Sequence, residues 1–145
     1  MHIDGESASI AAAPAYPEEA PIHIEHEPIP VLPEGKKVRV PFGKAFATRS
    51  GDKGGNANLG VWAKTPEAYS FLDAYLTVER LKQLLTDLRD YEIERYEMPN
   101  LLAVNFYIRG LLGDGVATSL RSDPQAKTLG EYLRAKIVEL PEAIL

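Results

Sequence analysis

The sequence predicts an α+β fold over residues 37–145: a largely antiparallel sheet of four or five strands with helices packed on one face. Three observations carry this. Short apolar runs bounded by Gly, Pro and Asn read as strands; two segments with apolar residues at three- and four-residue spacing read as amphipathic helices; and the composition changes abruptly after Lys36.

The chain has 145 residues, of which 45% are hydrophobic and 26% charged, proportions that support one ordinary core. Its formal net charge of -5 is uneven. Residues 1–36 hold Asp4, Glu6, Glu18, Glu19, Glu25, Glu27 and Glu34 against Lys36 alone, so the remainder is nearly neutral. The same segment carries Pro14, Pro17, Pro21, Pro28, Pro30 and Pro33 and reads as a flexible or extended acidic leader. Ile22, Ile24, Ile29, Val31 and Leu32 could anchor it on a partner. His23, Glu25, His26 and Glu27 sit together there, but a Pro-bounded polar cluster is expected to be solvated, and no metal site is assigned.

Lysines and arginines are scattered, which argues against nucleic acid as a partner. No apolar run approaches the ~20 residues that span a bilayer, and no basic region precedes a hydrophobic stretch. A cytoplasmic, membrane-free protein is the expectation. With no cysteine, disulfides and thiolate chemistry are excluded.

From Lys37 the elements follow in order. Val38 to Ala47 suggests a strand interrupted at Pro41 and Gly43, ending near Thr48. Residues 49–58 read as a polar Gly-rich loop, and Leu59–Ala63 as a second strand. Thr65-Pro66 starts a helix, with Thr65 as cap and Tyr69, Leu72 and Leu76 facing inward. Thr77 caps another over residues 78–89, whose face is Val78, Leu81, Leu84, Leu85 and Leu88. Tyr91–Met98 and Leu101–Ile108 form an antiparallel pair around Pro99-Asn100. Gly110, Gly113 and Gly115 make a turn, Val116–Leu120 an edge strand, and Asp123-Pro124 opens a last helix carrying Leu129, Tyr132, Leu133, Ile137 and Leu140.

The loop has the chemistry of an anion cradle. Gly51, Gly54 and Gly55 can turn successive N–H groups toward one oxygen cluster, Arg49 offers a two-pronged guanidinium and Lys53 a movable charge. Ser50, Asn56 and Asn58 can orient a ligand or brace the loop. It is not a nucleotide P-loop, because the Gly-Lys-Ser/Thr ending is missing. On the structural side, Asp52 can cap backbone N–H groups, and Arg49 can pair with Asp52 or Glu97. Asn105, polar within an apolar strand, needs hydrogen-bond partners and is expected to brace the loop. Arg121 and Asp123 can approach the same loop or pair with each other. All three histidines lie in the leader, so residues 37–145 contain no Ser-His-Asp or Cys-His set. Asp52, Lys53 and Glu97 remain as acid-base candidates should a pocket shift their pKa values.

Ordered blocks carry a family resemblance: Ala47 through Val61, Arg95 through Leu101, Ala103 through Phe106, Gly110 through Val116, Ser119 through Asp123 and Lys127 through Gly130. Together they resemble the C-terminal domain of the acyclic terpene utilisation protein A family, across roughly three quarters of the chain. The resemblance implies a ferredoxin-like sandwich and a stand-alone version of a domain that usually follows a larger one. It further implies a separately encoded large subunit of the family, or a homo-oligomer, as partner, and a link to terpenoid or acyl-CoA catabolism. A CoA thioester then becomes the candidate anionic ligand; no other cofactor is implied. Asn100, in the second block, joins Arg49, Ser50, Gly51, Asp52, Lys53, Gly54, Asn56, Asn58, Asn105 and Arg121 as ligand or interface candidates. The leading reading is an accessory subunit that completes a larger enzyme. The alternative is a self-contained lyase, hydratase or hydrolase using Asp52, Glu97 or Lys53.

Overall fold

Strand pairing in this computed structural model, which describes residues 2, 3, 5–7, 9, 11–14 and 35–145, is antiparallel at every ladder. Two short strands, β1 (His2–Ile3) and β2 (Glu6–Ser7), turn at Gly5, whose φ of 81° suits a residue without a Cβ. The extended leader foreseen for residues 1–36 thus begins with a small hairpin. The His23–Glu27 cluster and the anchors Ile22 to Leu32 lie outside the described residues.

The remaining elements are β3 (Lys37–Pro41), β4 (Ala47–Lys53), β5 (Asn56–Trp62), α1 (Pro66–Tyr75), α2 (Val78–Leu84), β6 (Ile93–Met98), β7 (Ala103–Ile108), α3 (Leu129–Arg134) and β8 (Ile137–Pro141). One sheet has the order β4-β5-β7-β6, and β3 pairs with β8 in a second. The fold is α+β and ferredoxin-like in class.

Period-two alternation decides which face of the larger sheet is buried. Ala57, Leu59 and Val61 of β5 lie opposite Ile108, Phe106 and Val104 of β7, and all six are buried. They share one core with Tyr69, Leu72 and Leu76 from α1 and its end, and with Leu81, Leu85, Leu88 and Leu133 from the later helical segments. The helices therefore cover a single face.

Both foreseen caps form: Ala68 N donates to Thr65 Oγ1 at 3.2 Å, and Arg80 N to Thr77 Oγ1 at 3.1 Å. Five expectations change. The interrupted strand expected from Val38 to Thr48 is two strands in different sheets, β3 and β4, separated by the 3-10 turn Phe42–Lys44. The segment 49–58 is a β-hairpin rather than a loop, with Lys53 paired to Asn56. The helix expected over 78–89 stops at Leu84 and continues as a 3-10 turn, Thr86–Leu88, which still buries Leu85 and Leu88. Residues 116–120 form turns, not an edge strand. The last helix begins at Leu129 instead of residue 124, and Ile137 and Leu140 belong to β8. Their spacing fits a helix, but Leu140 pairs with Val38 and Ile137 with Pro41 across the second sheet.

Candidate functional site

Two glycines shape the hairpin end. Gly54 and Gly55 form its two-residue turn, and only Gly54 has a positive φ, +63°, as in a type II′ turn. Gly55 is required for a different reason. A Cβ there would lie 2.0 Å from the Gly113 carbonyl oxygen, because the second Gly-rich segment packs directly on the tip. Leu112 N donates to Gly55 O at 2.9 Å. Asn56 fastens the same junction: its Oδ1 accepts from Gly110 N and its Nδ2 donates to Tyr107 Oη, both at 2.7 Å. Asn56 is thus a brace, with its amide oxygen and nitrogen both used within the chain.

Alternation along β4 sends its candidates to opposite faces. Ser50 points inward at 7% exposure, accepts from Gly130 N at 2.9 Å and donates to Lys127 O at 3.3 Å, so it locks the start of α3 to the sheet. Asp52, on the same side, lies 3.8 Å from Lys127 Nζ. Arg49, Gly51 and Lys53 are on the face turned from the helices, beside Gly60, Asn58 and Asn56 in register. Asn58 Nδ2 donates to Asn105 Oδ1 at 3.3 Å, so Asn105 braces the hairpin as expected. Lys53 Nζ donates to its neighbour's carbonyl, Asp52 O, at 2.9 Å.

The foreseen Arg49 ion pairs do not form. Asp52 takes Lys127, and Glu97 takes Arg95 at 2.7 Å, leaving Arg49 exposed and without a carboxylate among the described residues. Lys127 was missed by the sequence reading because nothing local links it to a strand 75 residues earlier. Tyr107 was missed for the same reason.

Glu97 and Asn100 stand apart from this region. Glu97 lies on β6, the strand at the opposite edge of the sheet from β4. Its partner Arg95 also donates from Nε to Leu76 O at 3.1 Å and from Nη2 to Asp73 O at 2.9 Å. Burial opposes the charge of Arg95, but the hydrogen bonds it donates to Asp73 and Glu97 prevail and raise its pKa. Tyr69 is raised, by burial first and then by the charges of Asp73 and Glu97. These groups tie β6 to the helices. Asn100 is exposed in the 3-10 turn Pro99–Leu101, at the end of the sheet away from Gly54 and Gly55. Asp52 and Lys53 therefore do not converge with Glu97 on one reacting centre.

Arg121 is placed differently. The expected pair with Asp123 is absent, since Asp123 accepts from Lys127 N, Thr128 N and Thr128 Oγ1 at 2.8–2.9 Å. Arg121 instead lines a shallow cavity of about 520 Å³ with Tyr91, residues 110–114 and residues 118–120. It also borders a smaller cavity of about 190 Å³ whose apolar wall includes Leu85, Leu88 and Leu129. The turn behind the larger cavity is the one packed on the hairpin tip. Among the described residues, no group of three or more His, Cys, Asp or Glu is placed to hold a metal ion, and no helix is long and apolar enough to cross a membrane.

No curated protein and no solved structure matches the chain. Residues 40–139, which include the whole larger sheet, both Gly-rich segments and all three helices, match the family model of the AtuA ferredoxin-like domain. With most of its length matched, the chain belongs to the AtuA ferredoxin-like domain family.

Proposed function

We propose that this chain is a small cytoplasmic accessory subunit that completes a larger AtuA-type enzyme of acyl-CoA or terpenoid catabolism. It contacts the anionic part of the ligand where the hairpin tip meets the turn at residues 110–121. The observation that supports this is the position of Arg121: a cation with no carboxylate partner among the described residues, lining a 520 Å³ cavity whose wall rests on Gly54 and Gly55. A guanidinium can hold a carboxylate or phosphate by two parallel hydrogen bonds, and a CoA thioester carries phosphates. Separation of Glu97 from Asp52 and Lys53 disfavours a self-contained lyase, hydratase or hydrolase.

Copurification from native cells, followed by assays of the isolated chain and of the recovered complex, tests the accessory role. Turnover should appear only in the complex; full turnover by the chain alone would overturn it. Arg121→Ala should weaken binding of a CoA thioester to the complex by roughly tenfold or more, the scale of one charge-assisted contact. Unchanged affinity, measured calorimetrically, would remove the ligand from the proposal.

A further inference from the structure

The face of the larger sheet turned from the helices is covered by no described element, yet it carries large apolar side chains. Trp62, Tyr96 and Met98 are 38%, 47% and 38% exposed there. Register sorts the face into rows running across the four strands. At the end distant from the hairpin turn, Ala47 and Trp62 are followed by Ala103 and Met98. In the next row Arg49 on β4 has Tyr96 at the far side, on β6. Beyond it Gly51 is matched by Glu94, and Lys53 by Glu92, whose backbone oxygen accepts from Arg109 N at 3.0 Å.

We propose that a second copy of the chain docks on this face about a two-fold axis parallel to the strands, between β5 and β7. Such an axis leaves each row opposite itself while exchanging β4 with β6 and β5 with β7. The row positions then place Trp62 of each copy over that of Ala103 of the other, a small side chain only 9% exposed, and Met98 over Ala47. Arg49 meets the ring of Tyr96, a favourable cation–π contact. The cationic side, with Lys53 and with Lys127 Nζ 3.1 Å from where a Gly51 Cβ would sit, meets Glu92 and Glu94; Glu94 is already paired with Arg109 of its own chain, and Glu92, 3.7 Å from the same guanidinium and 75% exposed, is the carboxylate that Lys53 reaches.

Two aligned sheets can also pack about an axis running across the strands. That arrangement sets β4 on β4 and β6 on β6 with the order of the rows reversed, so that Lys53 falls opposite the Ala47 row and Glu92 opposite the Met98 row, charges against apolar side chains. Charge therefore selects the strand-parallel axis, and with it a self-complementary interface between identical patches. The pair does not depend on the accessory role, because Arg121 and its cavity lie outside this face.

The full chain carries a single tryptophan and that tryptophan is Trp62, so one measurement reads assembly and face together. Light scattering should give twice the chain mass at high concentration. On dilution the mass should halve, and the Trp62 emission should shift to longer wavelength with the same midpoint. Lys53→Glu should raise the dissociation constant about tenfold or more by placing Glu against Glu92, and so should Glu92→Lys. The double variant should recover most of the loss, an outcome that partial unfolding would not produce. A monomer at all concentrations overturns the proposal, including one whose Trp62 is already shielded because residues 1–34 or another part of the chain occupy the face. So does a dimer whose dissociation leaves the emission unchanged, or one indifferent to both charge reversals.

Discussion

Gly55 carries the sharpest single-residue constraint on the hairpin. Its φ is ordinary, so backbone freedom is not what requires glycine there; the Gly113 carbonyl occupies the place of a Cβ. Gly55→Ala must push the turn at residues 110–115 away from the tip, breaking the Leu112 N to Gly55 O bond. It should cost about 1–3 kcal/mol, the usual penalty of overpacking. Chemical denaturation measures this, and a midpoint equal to wild type would show that the turn moves freely. Gly54→Ala, strained by its positive φ with open space around the new methyl, should cost less, about 1 kcal/mol. Glycine richness was visible in the sequence. Which glycine serves conformation and which serves close approach was not, because the approaching carbonyl is 58 residues away.

At the level of elements, the two threonine caps were legible locally, whereas the hairpin, the turn at residues 116–120 and the start of the last helix were not. Thr65 and Thr77 cap their own helices through bonds three residues long, so their sequence neighbourhood sufficed. The hairpin was taken for a loop because Gly, Asn, Ser and Asp favour turns in isolation. It is held extended by pairing with β7 and by Ser50 and Asn56 bonds to distant backbone. Asp123 is a cap, but of the turn ahead of α3 rather than of a helix starting at Pro124. Strand β6 adds a pH-sensitive feature. A hydrogen bond from Tyr96, and then Arg109 beside it, hold the Glu94 carboxyl below its ordinary value of 4.5. A depressed native pKa means the contribution is fully present above the unfolded value and is lost as pH falls through the native one. NMR titration should place the Glu94 midpoint below 4.5, and Tyr96→Phe should move it upward. An unmoved midpoint in that variant would dissociate Glu94 from Tyr96.

Over the whole molecule, β3 and β8 bring residues 37 and 141 together, with Val38 opposite Leu140 and Val40 opposite Val138. Removing residues 137–145 would strip the buried Val138 and Leu140 from the core and leave β3 unpaired. Each such side chain is worth about 2–5 kcal/mol against a total stability of about 5–15 kcal/mol. The truncated chain should therefore lose its cooperative thermal transition in calorimetry; a sharp transition near the wild-type temperature would show that the second sheet is dispensable. By itself, the sequence determined the α+β class, the two capped helices, the antiparallel β6–β7 pair and the family, since these rest on periodicity, caps and ordered local blocks. Only the tertiary structure decided that the candidate residues divide among a brace at the hairpin tip, the two faces of the larger sheet, the Pro99–Leu101 turn and the Arg121 cavity. The reason is physical: alternation along a strand sends neighbours in sequence to opposite faces, and the partners they meet, Lys127, Gly130, Gly113 and Tyr107, are brought to them by long-range pairing that no local pattern encodes.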